Sequence, residues 1–140
     1  MENKYDIKFK FLERIEELKY QRSIIIPFFN DKFVMSFDPI KKCWKFPMGQ
    51  SDENENILQS SIRQTFEECG AISEYLKPIG VYEDIYLIYI SKIAIFEPKP
   101  RWSDADLVKL FEKLPSKILD EDKLLYETIL KEIKAKCICI

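Results

Sequence analysis

Two adjacent glutamates, Glu67 and Glu68, are the residues of this sequence best suited to carry chemistry. The periodicity around them predicts a helix that begins after Asn56, with Asn56 and Gln59 as a capping pair, and that ends at Gly70 as a left-handed residue. Adjacent carboxylates on a rigid helix supply the oxygen ligands that Mg²⁺ prefers, with water and a substrate phosphate completing the octahedron. A cation site for phosphate chemistry is therefore one interpretation of this helix.

The remaining residues of the helix leave a second interpretation open. An apolar stripe is expected to face the core and to leave the two glutamates on the opposite, exposed face. The stripe comprises Leu58, Ile62, Thr65, Phe66 and Cys69. Arg63, four residues before Glu67, is able to hold an acidic partner such as Glu55 in a bidentate pair. Acidic residues on an exposed helix are usually only a solvated face, so the helix alone does not establish a site.

The amino-acid composition excludes several kinds of catalytic site and several classes of protein. The chain contains no histidine, which excludes histidine-based triads, histidine-ligated zinc and histidine general bases. Its four cysteines form no Cys-x-x-Cys pair, which favours reduced thiols and a cytoplasmic location. The net charge of −2 argues against a general nucleic-acid-binding protein. No run of 18 apolar residues and no signal peptide is present, so we expect no membrane partner.

The length of 140 residues and the absence of repeats or linkers predict a single domain, residues 1–140. The pattern of strands, helix, strands and helices is typical of an α+β fold, a mixed α/β/α sandwich with helices on both faces of a mixed central sheet. Predicted strands are Tyr20–Phe29, Phe33–Met35, Trp44–Met48, Leu76–Glu83 and Ile85–Phe96, with a two-residue turn at Asn30–Asp31. Further helices are predicted at Asp104–Leu114 and Glu121–Lys136, and Ile7–Leu18 is ambiguous between strand and helix.

The full spacing around the helix is more specific than the helix itself. Gly49 is followed after five residues by Glu55, and after seven more by Arg63-Gln64-Thr65-Phe66-Glu67-Glu68-Cys69-Gly70-Ala71. This segment, residues 49–71, resembles the box of the Nudix hydrolase family. The positions that match in type and register are Gly49, Glu55, Arg63, Glu67, Glu68 and Gly70. The resemblance extends over about residues 20–135 and implies the Nudix fold; residues 1–19 lie outside it.

The resemblance implies a role for each matching residue. Glu67 and Glu68 would be the main ligands of Mg²⁺, with Mn²⁺ as an alternative, and Glu68 is also a candidate proton acceptor. Glu55 would pair with Arg63 and brace the loop against the helix. Gly49 would let the backbone approach the metal, and Gly70 would end the helix.

Further ligands are expected outside the matching positions. The carbonyl of Met48 is a candidate metal ligand. A later acidic residue often completes the site in this family; Glu97, five residues before Trp102, is the first candidate and Glu83 the second. Tyr86 and Tyr89 are candidates for stacking on a nucleobase, against the simpler interpretation that strand aromatics belong to the core.

The sequence departs from the family pattern at Gln64, which stands where the family has its first helical glutamate. An amide cannot accept a proton at neutral pH, although its carbonyl oxygen can still coordinate weakly. Met48 replaces the customary first glycine, and Thr65 and Ala71 replace larger apolar residues. The change at Gln64 predicts either a proton acceptor elsewhere or a slow or degenerate site.

The resemblance therefore implies a Mg²⁺-dependent pyrophosphohydrolase of nucleoside diphosphate-linked substrates, with nucleoside triphosphates as the first choice. Dinucleoside polyphosphates or capped RNA are the second enzymatic alternative. A catalytically weak or inactive Nudix-fold module that binds a nucleotide or a protein is the alternative of another class, and Gln64 favours it. The partner is in each enzymatic case a small-molecule nucleotide, and a homodimer is left open.

Overall fold

The structure is a computed structural model that describes residues 9–12, 14–97, 107–136 and 138. Within these residues lie two α-helices, α1 (Ile57–Cys69) and α2 (Asp120–Ala135), and a 3-10 turn, Glu17–Lys19. The described strands are β1 (Phe9–Phe11), β2 (Arg22–Phe29), β3 (Lys32–Asp38), β4 (Cys43–Lys45), β5 (Met48–Gln50), β6 (Ala71–Tyr82), β7 (Tyr86–Phe96) and β8 (Leu107–Phe111).

The described strands form one mixed sheet in the order β1-β6-β7-β2-β3-β4. Strands β2 and β7 run parallel, and the other pairs are antiparallel. The two-residue turn predicted at Asn30–Asp31 is confirmed, with Asn30 in the left-handed region at φ 55°. Away from this turn the two strands separate: the start of β2 pairs with β5, and the end of β3 pairs with β4. The separation leaves β5 in contact with α1.

The two faces of the sheet bury different residues of the same strand. Ile24 and Ile26 belong to a cluster that includes four residues of α2, namely Leu125, Tyr126, Ile129 and Ile133. Ile25 belongs to a second cluster that includes Ile57 of α1. Alternate residues of a strand point to opposite faces, so α2 covers one face and α1 the other. The predicted α+β fold with helices on both faces is confirmed.

The ends of α1 agree with the prediction. The side chain of Asn56 accepts a hydrogen bond from the Gln59 N–H, and the Gln59 side chain accepts one from the Asn56 N–H, both at 2.9 Å. Gly70 follows in the left-handed conformation at φ 64°. Both features depend only on residues within one turn, and local rules therefore sufficed to predict them.

The predicted apolar stripe of α1 is wrong in part. Leu58 and Ile62 are 38% and 41% exposed, and small residues replace them on the buried face. The buried residues of α1 are Ile57, Ser60, Ser61, Thr65 and Cys69. Small side chains let the helix approach the sheet closely, and their hydroxyls find acceptors in the preceding turn: Thr65, for example, donates to the Ser61 carbonyl at 2.7 Å.

Two other predicted elements are corrected. The single strand at Trp44–Met48 is two strands, because Phe46 and Pro47 separate β4 from β5 and each strand pairs with a different neighbour. The helix at Asp104–Leu114 is wrong over residues 107–111, which form β8 along the edge of β3. Pairing with this edge satisfies backbone groups that a helix would leave open on β3. Trp102 and residues 104–106 lie outside the described residues.

The ambiguous segment Ile7–Leu18 contains both kinds of local structure. Phe9 and Phe11 lie in β1, whose residues pair with β6, and the 3-10 turn begins at Glu17. Among the described residues, neither α1 nor α2 is long and apolar enough to cross a membrane. The single-domain organisation over residues 1–140 stays a prediction.

Candidate active site

Arg63 joins the loop before α1 to the helix. Its Nε donates to Glu55 Oε2 at 2.7 Å and its Nη2 to Glu55 Oε1 at 2.9 Å, which is the bidentate pairing predicted from the spacing. The same guanidinium donates to Glu67 Oε2 at 3.2 Å and to the carbonyl of Gln50 at 3.2 Å. Hydrogen bonding to Arg63 lowers the pKa of Glu55, and hydrogen bonding to Glu55 raises the pKa of Arg63. Arg63 is thus fixed between the loop and Glu67.

Glu55→Gln is expected to lower the free energy of unfolding by about 1–3 kcal/mol, because one charge-assisted pair is lost. The folded-state pKa of Glu55 is below its unfolded value. Its contribution is therefore complete above the unfolded pKa of about 4.3 and is lost as the pH falls through the folded pKa. Urea denaturation should show a difference in the free energy of unfolding between wild type and variant at pH 7, and this difference should become smaller below about pH 4. A difference independent of pH would contradict the electrostatic origin.

Glu68 is the most enclosed carboxylate of the matching segment, with 14% of its side chain exposed. Its Oε2 accepts from the Met48 N–H at 3.1 Å, and its Oε1 pairs with Lys45 Nζ at 3.2 Å. Burial raises the pKa of Glu68, and the Lys45 charge and the Met48 N–H oppose this rise. For Lys45, burial lowers the pKa, but Glu68 outweighs it and the net pKa is raised. The expectation that both glutamates lie on an exposed face is wrong: both are partly buried, and Glu68 is the more buried of the two.

Gln64 and Glu67 complete the polar face of the helix. Glu67 is 24% exposed and lies in an i,i+4 ion pair with Arg63. Gln64, which is partly exposed, precedes Glu67 by three residues and Glu68 by four. Residues at these spacings are neighbours on a helix surface. Gln64 therefore lies beside both carboxylates, as the resemblance implies for the first helical position.

At Gly49, strand β5 approaches α1 closely. A Cβ at this position would lie 2.5 Å from Ser23 Oγ and 3.3 Å from Ser61 Cα. Ser61 Oγ donates its one hydrogen to the Ile57 carbonyl at 2.7 Å. It therefore accepts from the hydroxyl of Ser23, whose Oγ lies 2.6 Å away. The structure therefore gives Gly49 a packing role beside α1. An approach of its backbone to a metal, and a Met48 carbonyl ligand, stay predictions.

Gly49→Ala is expected to destabilise the fold by about 1–3 kcal/mol, because the added methyl overlaps a site with little room to move. Ser23→Ala in the same chain removes the nearer contact and should restore part of that loss. The Cα of Ser61 remains close, so recovery should be incomplete. Thermal denaturation of the two single variants and the double variant measures this. Additive losses in the double variant would contradict the steric account.

The two candidates for a later carboxylate lie in different places. The backbone N–H of Glu97 donates to the Gly70 carbonyl at 2.7 Å, which places the backbone of Glu97 beside the end of α1. Glu83 lies in the turn between β6 and β7 with φ 55° and hydrogen bonds with Tyr82. Among the described residues, no three acidic or cysteine side chains converge on one point. Glu97 thus remains the better-placed candidate, and its role stays a prediction.

The donor set nonetheless fits a hard divalent cation. Mg²⁺ is commonly held by one or two carboxylates, with water and substrate phosphate supplying the other oxygens. Glu67 and Glu68 provide two carboxylates on one rigid helix, each oriented by a basic side chain and, for Glu68, by a backbone N–H. Cys43 and Cys69 are buried, and burial raises the pKa of the Cys43 thiol, so these thiols are poor ligands.

The prediction that Tyr89 stacks on a nucleobase is wrong. Its side chain is fully buried in the cluster with Ile25 and Ile57, and its hydroxyl donates to Glu17 at 2.7 Å. Tyr86 is partly buried on the face of the sheet that α2 covers, and its ring lies 6.1 Å from that of Tyr82. Stacking by Tyr86 stays a prediction.

The ion pair between Lys45 and Glu68 was not predicted from the sequence. The two residues lie on different elements and 23 positions apart, beyond the reach of helical spacing rules. The signal that could have found it is alternation: Trp44 and Phe46 belong to the cluster beneath α2. Lys45 between them must point to the other face of the sheet, which α1 covers.

Comparison with known proteins yields a local match in sequence and extended matches in structure. No model of a protein family matches the chain. A segment of 48 residues is 35% identical to "Nucleoside diphosphate-linked moiety X motif 6" of mouse and to its human counterpart. The match covers 34% of this chain and only 15% of the length of each relative.

Solved structures resemble the chain over most of its length. A mutant of the Bacillus subtilis pyrophosphohydrolase BsRppH superposes with a TM-score of 0.77 at 21% identity, covering 93% of this chain and 90% of that one. An ADP-ribose pyrophosphatase from Streptococcus suis superposes with a TM-score of 0.61 at 15% identity, covering 81% of this chain and 90% of that one. A MutT protein from Bacillus halodurans superposes with a TM-score of 0.54 at 21% identity, covering 78% of this chain and 80% of that one. At these identities the likeness establishes the fold.

Proposed function

We propose that the chain is a divalent-cation-dependent pyrophosphohydrolase of nucleotide substrates, because its residues 49–71 resemble the Nudix box and its fold is the Nudix fold. Nucleoside triphosphates are the substrate class proposed first. In that reaction water attacks one phosphorus, a phosphoanhydride P–O bond breaks, and a nucleoside monophosphate and pyrophosphate leave. A cytoplasmic location and a homodimer stay predictions.

The observation that carries the proposal is the fixed pair Glu67 and Glu68. Glu67 is oriented by Arg63, which Glu55 holds in turn, and Glu68 is oriented by the Met48 N–H. When bound, Mg²⁺ or Mn²⁺ neutralises phosphate oxygens and acidifies a water molecule. The residues of the chain hold the carboxylates in place, so that little reorganisation is needed when the cation and the diphosphate bind.

A non-catalytic nucleotide-binding module is the second candidate, and Gln64 favours it. The first helical position of the box carries an amide where a carboxylate would accept a proton. The hydrogen bonds of Arg63 to Glu55 and Glu67 favour activity instead, because a helix face that is only solvated needs no bidentate ion pair to fix its carboxylates.

Release of phosphate or pyrophosphate from a nucleotide panel tests the proposal. The panel comprises nucleoside triphosphates, oxidised triphosphates, ADP-ribose and dinucleoside polyphosphates, each with Mg²⁺, with Mn²⁺ and with chelator. Turnover that requires the cation would support the enzyme and identify its substrate class. No turnover of any compound, together with a rise in melting temperature on adding nucleotide, would contradict the enzyme and favour the binding module.

A further inference from the structure

The pair of Lys45 and Glu68 brings a positive charge to the carboxylate that is proposed to hold a metal. Lys45 Nζ lies 3.2 Å from Glu68 Oε1, with 28% and 14% of the two side chains exposed. Among the described residues, Glu68 is the ion-pair partner of Lys45. The ammonium therefore contacts one of the two oxygens of Glu68.

We propose that Lys45 is a tethered cation that competes with the divalent metal for Glu68 and, once displaced, binds the phosphate of the substrate. This inference rests on the proposed function. It makes Lys45 a residue that couples two events: metal binding frees the ammonium, and phosphate binding draws the ammonium away from Glu68.

Competition follows from the contacts of Glu68. Its Oε2 accepts from the Met48 N–H, a neutral donor fixed in β5, and a carboxylate oxygen has a second lone pair for a cation beside such a bond. Its Oε1 is paired with a full positive charge, which repels an arriving cation. Of the two contacts, only the one with Lys45 must break.

The basic partner of Glu67 differs in this respect. Arg63 is held by two hydrogen bonds to Glu55 and one to the Gln50 carbonyl, so it has a fixed position whatever Glu67 binds. The side chain of Lys45 is a flexible chain of four methylene groups. Among the described residues, its ammonium forms an ion pair with Glu68 and with no second carboxylate. A lysine displaced from Glu68 is thus free to turn while it remains tethered beside that carboxylate. Phosphate is the anion that the proposed reaction brings to this place.

Lys45→Met tests the proposal because methionine keeps an unbranched side chain of similar length without the charge. The dissociation constant for Mn²⁺ alone, measured from the free-ion paramagnetic resonance signal, should fall about tenfold in this variant relative to wild type. The affinity of the Mn²⁺-saturated protein for a non-hydrolysable nucleoside triphosphate analogue should weaken about tenfold. Lys45→Arg, which keeps the charge, should stay close to wild type in both measurements.

Lys92→Met is the matched control. Lys92 Nζ lies 3.4 Å from Glu74 Oε2, and this ion pair is outside residues 49–71. It should change neither constant. An unchanged Mn²⁺ constant in a folded Lys45→Met protein would overturn the competition, and an unchanged analogue affinity would overturn the phosphate contact. If wild type binds no Mn²⁺, the proposed function itself is contradicted and this inference with it.

Discussion

Glu68→Gln should lower metal-dependent turnover by at least about 100-fold. Changes in groups that merely orient a metal ligand already cost about 10- to 100-fold, so loss of the charge on a ligand should reach or exceed the upper end. Glu67→Gln should act similarly, because the two carboxylates are the donors that the helix presents. Phosphate or pyrophosphate release at saturating Mg²⁺ measures both. Turnover equal to wild type in either variant would contradict the assignment of that glutamate as a ligand.

The stability of these variants separates a lost ligand from a damaged fold. Gln at position 68 loses the ion pair with Lys45, but it can still accept from the Met48 N–H and no longer buries a charge, and these two effects offset the loss. Gln at position 67 loses one helical ion pair with Arg63. Each change should alter the free energy of unfolding by no more than about 1 kcal/mol. Glu74→Gln, the same replacement in an ion pair with Lys92, is the control and should retain full turnover.

The features predicted correctly are those that neighbouring residues determine. The capping pair of Asn56 and Gln59, the left-handed Gly70 and the turn at Asn30 each follow from the conformational preferences of a few consecutive residues. The pairing of Glu55 with Arg63 belongs to the same group, since a spacing of eight residues across one loop suffices to suggest it.

The features predicted wrongly depend on contacts between distant segments. Residues 107–111 contain apolar residues that suit a helix or a strand, and the edge of β3 decides between them. The division of Trp44–Met48 into two strands likewise depends on which neighbour each half meets. Local propensity cannot supply either fact, because the pairing partner lies many residues away.

The buried faces of α1 and β7 show the same limit. Leu58 and Ile62 are more apolar than Ser60 and Ser61, yet the serines face the sheet because Gly49 brings β5 too close for larger side chains. Tyr89 is buried because α1 and the 3-10 turn cover its face of the sheet. Periodicity identifies the two faces of an element, but the depth of packing against the neighbouring layer selects the residues that fit.

Gln64→Glu is expected to raise turnover, by as much as about 10²–10⁴-fold if this position has lost a general base. Gln64 precedes Glu67 by three residues and Glu68 by four, so a carboxylate there would lie beside both. It would act either as a proton acceptor or as a third oxygen ligand. Initial rates for wild type and variant at saturating Mg²⁺, with the substrate class found in the panel, measure the change. An unchanged or lower rate would place the proton acceptor elsewhere in the protein.

A second readout distinguishes a restored site from a general effect of charge. A third carboxylate beside Glu67 and Glu68 adds like-charge repulsion of about 0.2–0.5 kcal/mol per pair, which should lower the melting temperature slightly without metal. Mg²⁺ should reverse that loss, because it binds the folded form more tightly when a further oxygen ligand is present. Gln59→Glu is the matched control: it adds the same charge to the same helix, and glutamate at this position preserves the capping box. A rate increase in Gln64→Glu that Gln59→Glu does not share would locate the defect of this box at its first helical position.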